Sequence, residues 1–439
     1  MAILRAFHAL RPPADKVELV ASVPYDVVNT EEARALAEGN PLSLLHVSRP
    51  EIDLPPDVDI HDDRVYEKGA QNLQRLIKDV PLKKEAKDHL YVYRLEWRGH
   101  AQVGVVGCCA VEDYDNDVIR KHEKTRKDKE DDRTRHIVTL RAQTGPVFLC
   151  YRDDAAVDQL VAAAQQTAPL YDFTAPDGVK HTVWQVEDSG GYVRAFAQVP
   201  RLYIADGHHR AASASRAQKE LARQNLNHTG KESYNRFLAV LFPASQLNIL
   251  PYNRVVKDLG GMSPQGFLSA LKDVFHVTEN ADPSPKAKSD VSVHLGGKWY
   301  GLKLGAEGAK VARKSEGGKT RALVPHNPHR ESSKGGTWLD IDDAPIAKLD
   351  CWLLQNLVLA PLLGIDDPRT DKRVDFVGGI RGTDELVKLC SSGKAQVAFS
   401  MFPTTVEDLM LVSDAGDVMP PKSTWFEPKL RSGLVIHQI

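Results

Sequence analysis

Cysteine is scarce in this 439-residue chain: five residues, an odd number without regular spacing. That excludes a disulfide framework. Cys108 and Cys109 stand side by side in an apolar run, so a strand points them to opposite faces and makes them poor joint metal ligands. Long apolar runs are missing too. None approaches the roughly 18 residues a membrane span needs, and the stretch from Met1 to Leu10 is too short and interrupted for a secretory signal. Neither charge dominates. The formal net charge is −2, so no global field draws nucleic acid or an anionic membrane. No G-x-G-x-x-G, H-E-x-x-H or Cys-x-x-Cys pattern occurs, which leaves dinucleotide and structural zinc sites without support. Glu316-Gly317-Gly318-Lys319-Thr320 imitates the tail of a P-loop, but the glycine required five residues before Gly318 is Arg313. What remains, 42% hydrophobic and 26% charged residues, is ordinary for a globular protein of a reducing cytoplasm. The length predicts two or three domains.

Against this plain background one stretch carries chemistry. The apolar run Leu202 to Ala205 stops at Asp206-Gly207 and is followed by His208, His209, Arg210 and small residues. The order predicts a strand, a tight turn and a helix start. A helix N-terminus offers unpaired N–H donors and the positive end of a dipole, which suits phosphate. Arg210 adds a two-pronged donor, each imidazole can move a proton near neutrality, and Asp206 can cap the helix or hold a divalent cation. The plain alternative is a helix cap with ordinary surface histidines.

A second candidate is Arg120-Lys121-His122-Glu123-Lys124-Thr125-Arg126, at the predicted junction of a short strand and a helix. Glu123 among cations has its charged form favoured, while those cations suit phosphate. Thr125 with Asp128 predicts a capping box, hence a helix over 126–142, laced by pairs such as Lys124–Asp128 and Lys127–Asp131. A third is Met419 to Lys429, where prolines hold Lys422, Ser423, Thr424 and Lys429 on an extended loop suited to phosphate or carboxylate. The Arg369–Arg373 and Gly378–Gly382 segments present another cationic edge.

Strand and helix patterns alternate through much of the chain, which predicts an α/β (α+β) fold. The segmentation reads as an N-terminal extension (1–90), a catalytic core (91–250), a connecting helix and hairpin (251–304), a flexible basic glycine-rich insertion (305–337) and a C-terminal α/β domain (338–439). Within the last, 347–363 reads as one apolar helix ended by Gly364.

Several motifs together are similar to a known family. Val23-Pro-Tyr-Asp-Val-Val, His46-Val-Ser-Arg-Pro-Glu, Ile119-Arg-Lys-His-Glu-Lys-Thr-Arg, Ala142-Gln-Thr-Gly-Pro-Val-Phe, Ala205-Asp-Gly-His-His-Arg, Arg373-Val-Asp-Phe-Val-Gly-Gly and Pro420-Pro-Lys-Ser-Thr-Trp-Phe-Glu-Pro-Lys span nearly the full length. They resemble domain-of-unknown-function family one thousand and fifteen, with 305–337 as an addition to its pattern. Within about 90–245, Asp206-Gly-His-His-Arg behind a strand–His–Glu–helix element looks like the active site of free serine kinases with a ParB/sulfiredoxin-like core. That resemblance implies a cytoplasmic, Mg²⁺-dependent transferase of serine metabolism that phosphorylates the hydroxyl of free L-serine. Its phosphoryl donor is pyrophosphate, ATP or ADP. Glu123 is then the base and Asp206 the Mg²⁺ ligand, with His209 and Arg210 catalytic. His122, Gly207, His208, Thr144, Lys422, Ser423, Thr424 and Lys429 bind phosphate or substrate. The cysteine that sulfiredoxins carry before their His-Arg is absent, since Gly207 and His208 stand there. The other reading the resemblance leaves open is a ParB-like nucleotide-sensing or nucleic-acid-binding module. The net charge and the lack of an aromatic-basic platform weigh against it, so no nucleic acid or membrane partner is expected.

Overall fold

The computed structural model describes residues 1–80, 82–304, 313–316, 319–324, 337–340 and 344–439, with 313–316, 319–324 and 337–340 as backbone strands only. The basic glycine-rich insertion at 305–337 therefore falls largely outside the described residues. The chain forms two compact units, Met1–Leu247 with Pro428–Ile439, and Asn248–Glu427. Both mix helices with sheets, so the α/β (α+β) class holds.

The first unit is built on a nine-stranded sheet. Its strands are β1 (Leu4–Arg5), β2 (Leu90–Trp97), β3 (His100–Ala110), β4 (Ile119–Arg120), β5 (Val147–Tyr151), β6 (Tyr171–Thr174), β7 (Lys180–Val186), β8 (Leu202–Asp206) and β9 (Arg236–Pro243). The spatial order is β4-β8-β5-β9-β3-β2-β7-β6, with β1 against β3. Only β8 with β4 and β9 with β5 run parallel. The central strands β5, β8 and β9 are short, apolar and buried almost throughout, as strands with neighbours on both edges should be. Val92, Leu149, Phe196, Leu202, Ile204 and Phe237 meet in one buried cluster on this sheet.

The longer helices of this unit are α1 (Thr30–Ala37), α2 (Asp63–Asp79), α3 (Lys127–Leu140), α4 (Ala155–Ala164), α5 (Ser189–Phe196) and α6 (His208–Gln224). Asn29 and Glu32 close a capping box on α1. The box expected at Thr125 and Asp128 does not form. Arg126 is the N-cap of α3 without a side-chain bond; the Thr125 hydroxyl donates to Glu130, and Asp128 pairs with Arg126 at 2.7 Å. A nearby guanidinium outcompetes a backbone N–H for that carboxylate. Lys127 and Asp131 do pair, at 2.6 Å.

The C-terminal boundary also differs from the sequence reading. The strand Ile436–Gln438 pairs with Ala9–Arg11 and with Ala142–Gln143, and Ile436 is buried with Leu73, Leu76 and Leu140. Residues 428–439 therefore belong to the first unit, with the N-terminal ninety. The second unit gains what was read as a connector. Tyr252–Val256 lies between Val374–Gly378 and Val397–Met401 in a six-stranded sheet that the hairpin Asp290–Leu295 and Lys298–Lys303 extends. The 347–363 helix is also broken: Asp350–Leu354 is α-helical and Gln355–Leu359 continues as a π-helix. Apolar periodicity does not distinguish one helical hydrogen-bond register from the next.

Candidate active site

Strand β8 delivers Asp206 to the sheet edge through a register shift against β5 between Ile204 and Asp206. Gly207 then turns the chain with φ +94°, a left-handed conformation that side chains rarely adopt. A Cβ there would stand 3.1 Å from Arg210 Cζ and Nε, so any other residue would add a push on that side chain to the strain of the left-handed backbone. Helix α6 starts at His208 with Gly207 as N-cap; Asp206 does not cap it. Ala211, Ala212, Ser213 and Ala214 are buried, and their small size lets α3 pack close. The Ser213 hydroxyl donates to Glu130 O at 3.2 Å, and Arg216 pairs with Glu130 at 3.1 Å and Asp131 at 2.5 Å.

That clamp holds the 121–126 loop on the first turn of α6. The His122 N–H donates to His208 Nε2 at 3.5 Å, and the Arg126 N–H donates to His209 Nε2 at 3.1 Å. A ring nitrogen that accepts carries no proton, so neutral His208 holds its proton on Nδ1. Nδ1 faces the Glu123 carboxylate at 3.9 Å. Burial, and then the neighbouring His122, push the His208 pKa well below normal. Burial likewise brings His122 down to about 4, against the pull of Asp206. The two rings meet edge-on with centroids 4.4 Å apart. Both imidazoles are neutral at pH 7.

Arg210 is the charge at the centre. Its Nη1 donates to the Pro146 carbonyl, and Nη2 reaches Asp26 at 3.2 Å and Asp206 at 3.5 Å. Its Nε is buried without a partner. Burial alone would weaken this cation; Asp26 and Asp206 outweigh that and raise its pKa above normal. Asp206 shows the mirror image. Burial raises its carboxyl, yet Lys429 at 3.2 Å and Arg210 hold it well below the usual carboxylate range. Its Oδ1 accepts the Gly207 N–H at 3.0 Å.

Of the residues singled out from sequence, His122, Glu123, Asp206, Gly207, His208, Arg210 and Lys429 gather at this turn, and His209 is tied to it through Arg126. Thr144 is buried beside Gly145, in the wall of a cavity that Arg210 also lines. Lys422, Ser423 and Thr424 belong to the second unit. There the Ser423 hydroxyl lies 2.6 Å from Pro420 O and 3.1 Å from Cys351 Sγ, and Lys422 Nζ lies 5.6 Å from the Tyr252 ring centroid. Asp26 and Tyr25 escaped notice as site residues. The Pro24-Tyr25-Asp26 turn was visible, but nothing local ties it to an arginine 184 residues away.

Among the described residues, no group of three or more His, Cys, Asp or Glu side chains forms a metal cluster. A divalent cation at this turn would have Asp206 and Asp26 as its carboxylates. That suits Mg²⁺, which commonly takes one or two carboxylates and completes its shell with water and phosphate oxygens. Among the described residues, no helix is long and apolar enough to cross a membrane.

Solved structures similar to this chain include a conserved hypothetical protein from Pyrococcus furiosus, at 14% identity and a TM-score of 0.34, covering 75% of this chain and 95% of that one. A free serine kinase in complex with AMP matches at 11% identity and a TM-score of 0.35, covering 75% and 92%. SbnI with a C-terminal truncation, from Staphylococcus aureus, matches at 12% and 0.35, covering 75% and 87%. At such scores these likenesses leave any assignment to the residues themselves. No curated protein matches. A family model described as "Protein of unknown function (DUF1015)" matches residues 4–342, well over half the chain, and the chain belongs to that family.

Proposed function

We propose that this protein is a phosphotransferase that moves a phosphoryl group onto the hydroxyl of free L-serine, with pyrophosphate, ATP or ADP as donor. The observation that carries the reading is the Glu123 carboxylate 3.9 Å from His208, on a helix N-terminus that also presents Arg210. Phosphoryl transfer asks a protein mostly for positioning and charge neutralisation. Glu123, partly exposed where His208 is buried, accepts the hydroxyl proton. The serine oxygen then bonds to phosphorus as the donor's bridging P–O bond breaks and the rest of the donor leaves, as phosphate from pyrophosphate, ADP from ATP or AMP from ADP. Neutral His208 turns its Nδ1 toward Glu123 at 3.9 Å, close enough to meet the incoming hydroxyl group beside that carboxylate. Arg210, Lys429 and the first N–H groups of α6 offset the charge of the moving group. Asp206 and Asp26 would hold Mg²⁺, which supplies further neutralisation of phosphate oxygens when bound. The resemblance of Asp206-Gly-His-His-Arg to the free serine kinase motif supports the choice of serine.

The test is a screen of free amino acids and sugars against pyrophosphate, ATP and ADP with Mg²⁺, read by mass spectrometry. The expected result is O-phosphoserine, with kcat lowered roughly 10²–10⁴-fold in Glu123→Gln and donor affinity little changed. No product from any pair, or a Glu123→Gln variant at the wild-type rate, overturns the reading.

A further inference from the structure

Behind Arg210 the first unit contains a concavity that the reading above leaves unused. Its empty space, counting the open mouth, is about 520 Å³. Tyr25, Ser48, Arg133, Thr144 and Arg210 are among its polar lining residues, and Ile137 and Phe237 among its apolar ones. Ser48 is 3% exposed, and its buried hydroxyl has no hydrogen-bond partner among the described residues. A buried hydroxyl left unpaired costs free energy, so a site that holds one invites a polar ligand atom. Arg133 is committed on one side only. Its Nε reaches Asp132 at 2.8 Å, its Nη1 donates to Ser48 O at 3.2 Å, and its plane lies 4.2 Å from the Tyr25 ring centroid. Its Nη2 bonds to none of the described residues.

His136 also lines this cavity, but burial brings its pKa down to about 3 and it adds no charge. Both terminal nitrogens of Arg210 already have acceptors. The uncommitted Arg133 Nη2 beside one unpaired hydroxyl, in a cavity also lined by Ile137 and Phe237, matches a monoanion with two adjacent oxygens and an apolar body. Arg210 lines the cavity too, but Asp26 and Asp206 already offset its charge, so a phosphate dianion finds too little to neutralise it.

We propose that this cavity binds a small carboxylic acid, its carboxylate held by Arg133 and the Ser48 hydroxyl and its hydrocarbon part against Ile137 and Phe237. The cavity shares Arg210 and Thr144 with the residues read above as phosphate-binding, but its test reads binding without turnover and so fails or succeeds apart from the phosphotransfer test. Isothermal titration of the full chain with acetate, propionate and butyrate, with inorganic phosphate for comparison, tests it. Saturable binding is expected, tightening up to about fourfold per added methylene as more apolar surface is buried. Ser48→Ala should weaken it by roughly three- to tenfold and Arg133→Gln by roughly tenfold or more. Should Arg133→Gln fail to fold, Ser48→Ala, which removes one buried oxygen, still decides. Absence of saturable binding to all three acids, unchanged affinity in Ser48→Ala, or phosphate binding more tightly than butyrate overturns the proposal.

Discussion

Asp206–Arg210 and Pro420–Thr424 each follow a rigid turn and each offer cations or hydroxyls suited to an anion. In the structure they satisfy those groups differently. The first turn binds its charges to side chains from far along the chain, with Arg210 against Asp26 and Asp206 against Lys429. The second is held by uncharged partners, some local and some distant, Cys351 Sγ among them. The Ser423 hydroxyl turns to Pro420 O, the Ser423 carbonyl accepts the Thr404 hydroxyl at 2.9 Å, and Lys422 is an exposed residue at φ +56°. Partly buried, long-range charge pairs make the first region sensitive to the loss of a cation. Neutral hydrogen bonds beside an exposed lysine make the second more tolerant.

The largest expected contrast comes from deleting a cation. Arg210→Met leaves Asp26 and Asp206, each about a third exposed, without their shared partner, and with Lys429 still on Asp206 the loss should be about 2–3 kcal/mol, below that of a fully buried pair. Lys422→Met, at an exposed position, should stay within about 0.5 kcal/mol. Urea unfolding of both variants measures the difference, and equal midpoints would break the comparison.

Acid should sharpen it. The unfolded chain protonates a histidine near pH 6.5, whereas folded His122 resists until about 4. A depressed folded pKa means the contribution is present above pH 6.5 and is lost as pH falls toward 4. Its full size is on the order of 3 kcal/mol. Asp206, also depressed, adds stability that is present above the ordinary carboxylate range and is lost only below it. Unfolding midpoints between pH 7 and 4.5 should fall less steeply in His122→Gln, by about one proton. A variant with the wild-type slope would show that His122 does not hold this position.

Backbone changes give the smaller effects. Gly207→Ala forces an alanine to φ +94° with Arg210 against its Cβ, and should cost about 1–3 kcal/mol. Lys422→Gly works in the other direction. It relieves a left-handed residue, partly offset by glycine's larger unfolded-state entropy, so it should gain no more than about 1 kcal/mol. Calorimetric melting of the two variants reads opposite signs. A stabilised Gly207→Ala would show that the turn is not confined as described.

Much of the local structure was legible because it is local. The apolar spacing of Val157 and Val161 and the Asp154 cap place α4 at Ala155–Ala164. The apolar run 202–205, ended by Asp-Gly, is β8 entering α6. The motif 206–210 with Glu123 was readable for the same reason: the residue types needed for phosphate chemistry sit within a few positions at strand-to-helix junctions. What tertiary structure alone decided concerns partners. Composition carries no sign that Asp26 meets Arg210, that Lys429 meets Asp206, or that Ile436 joins Leu73 in one core. Nor does it show that Tyr252–Val256 threads between strands more than 100 residues later. Helix periods and turn residues follow from neighbouring backbone geometry, which the local sequence controls. Charge pairing and sheet order follow from which distant surfaces bury one another, and that choice belongs to the whole chain.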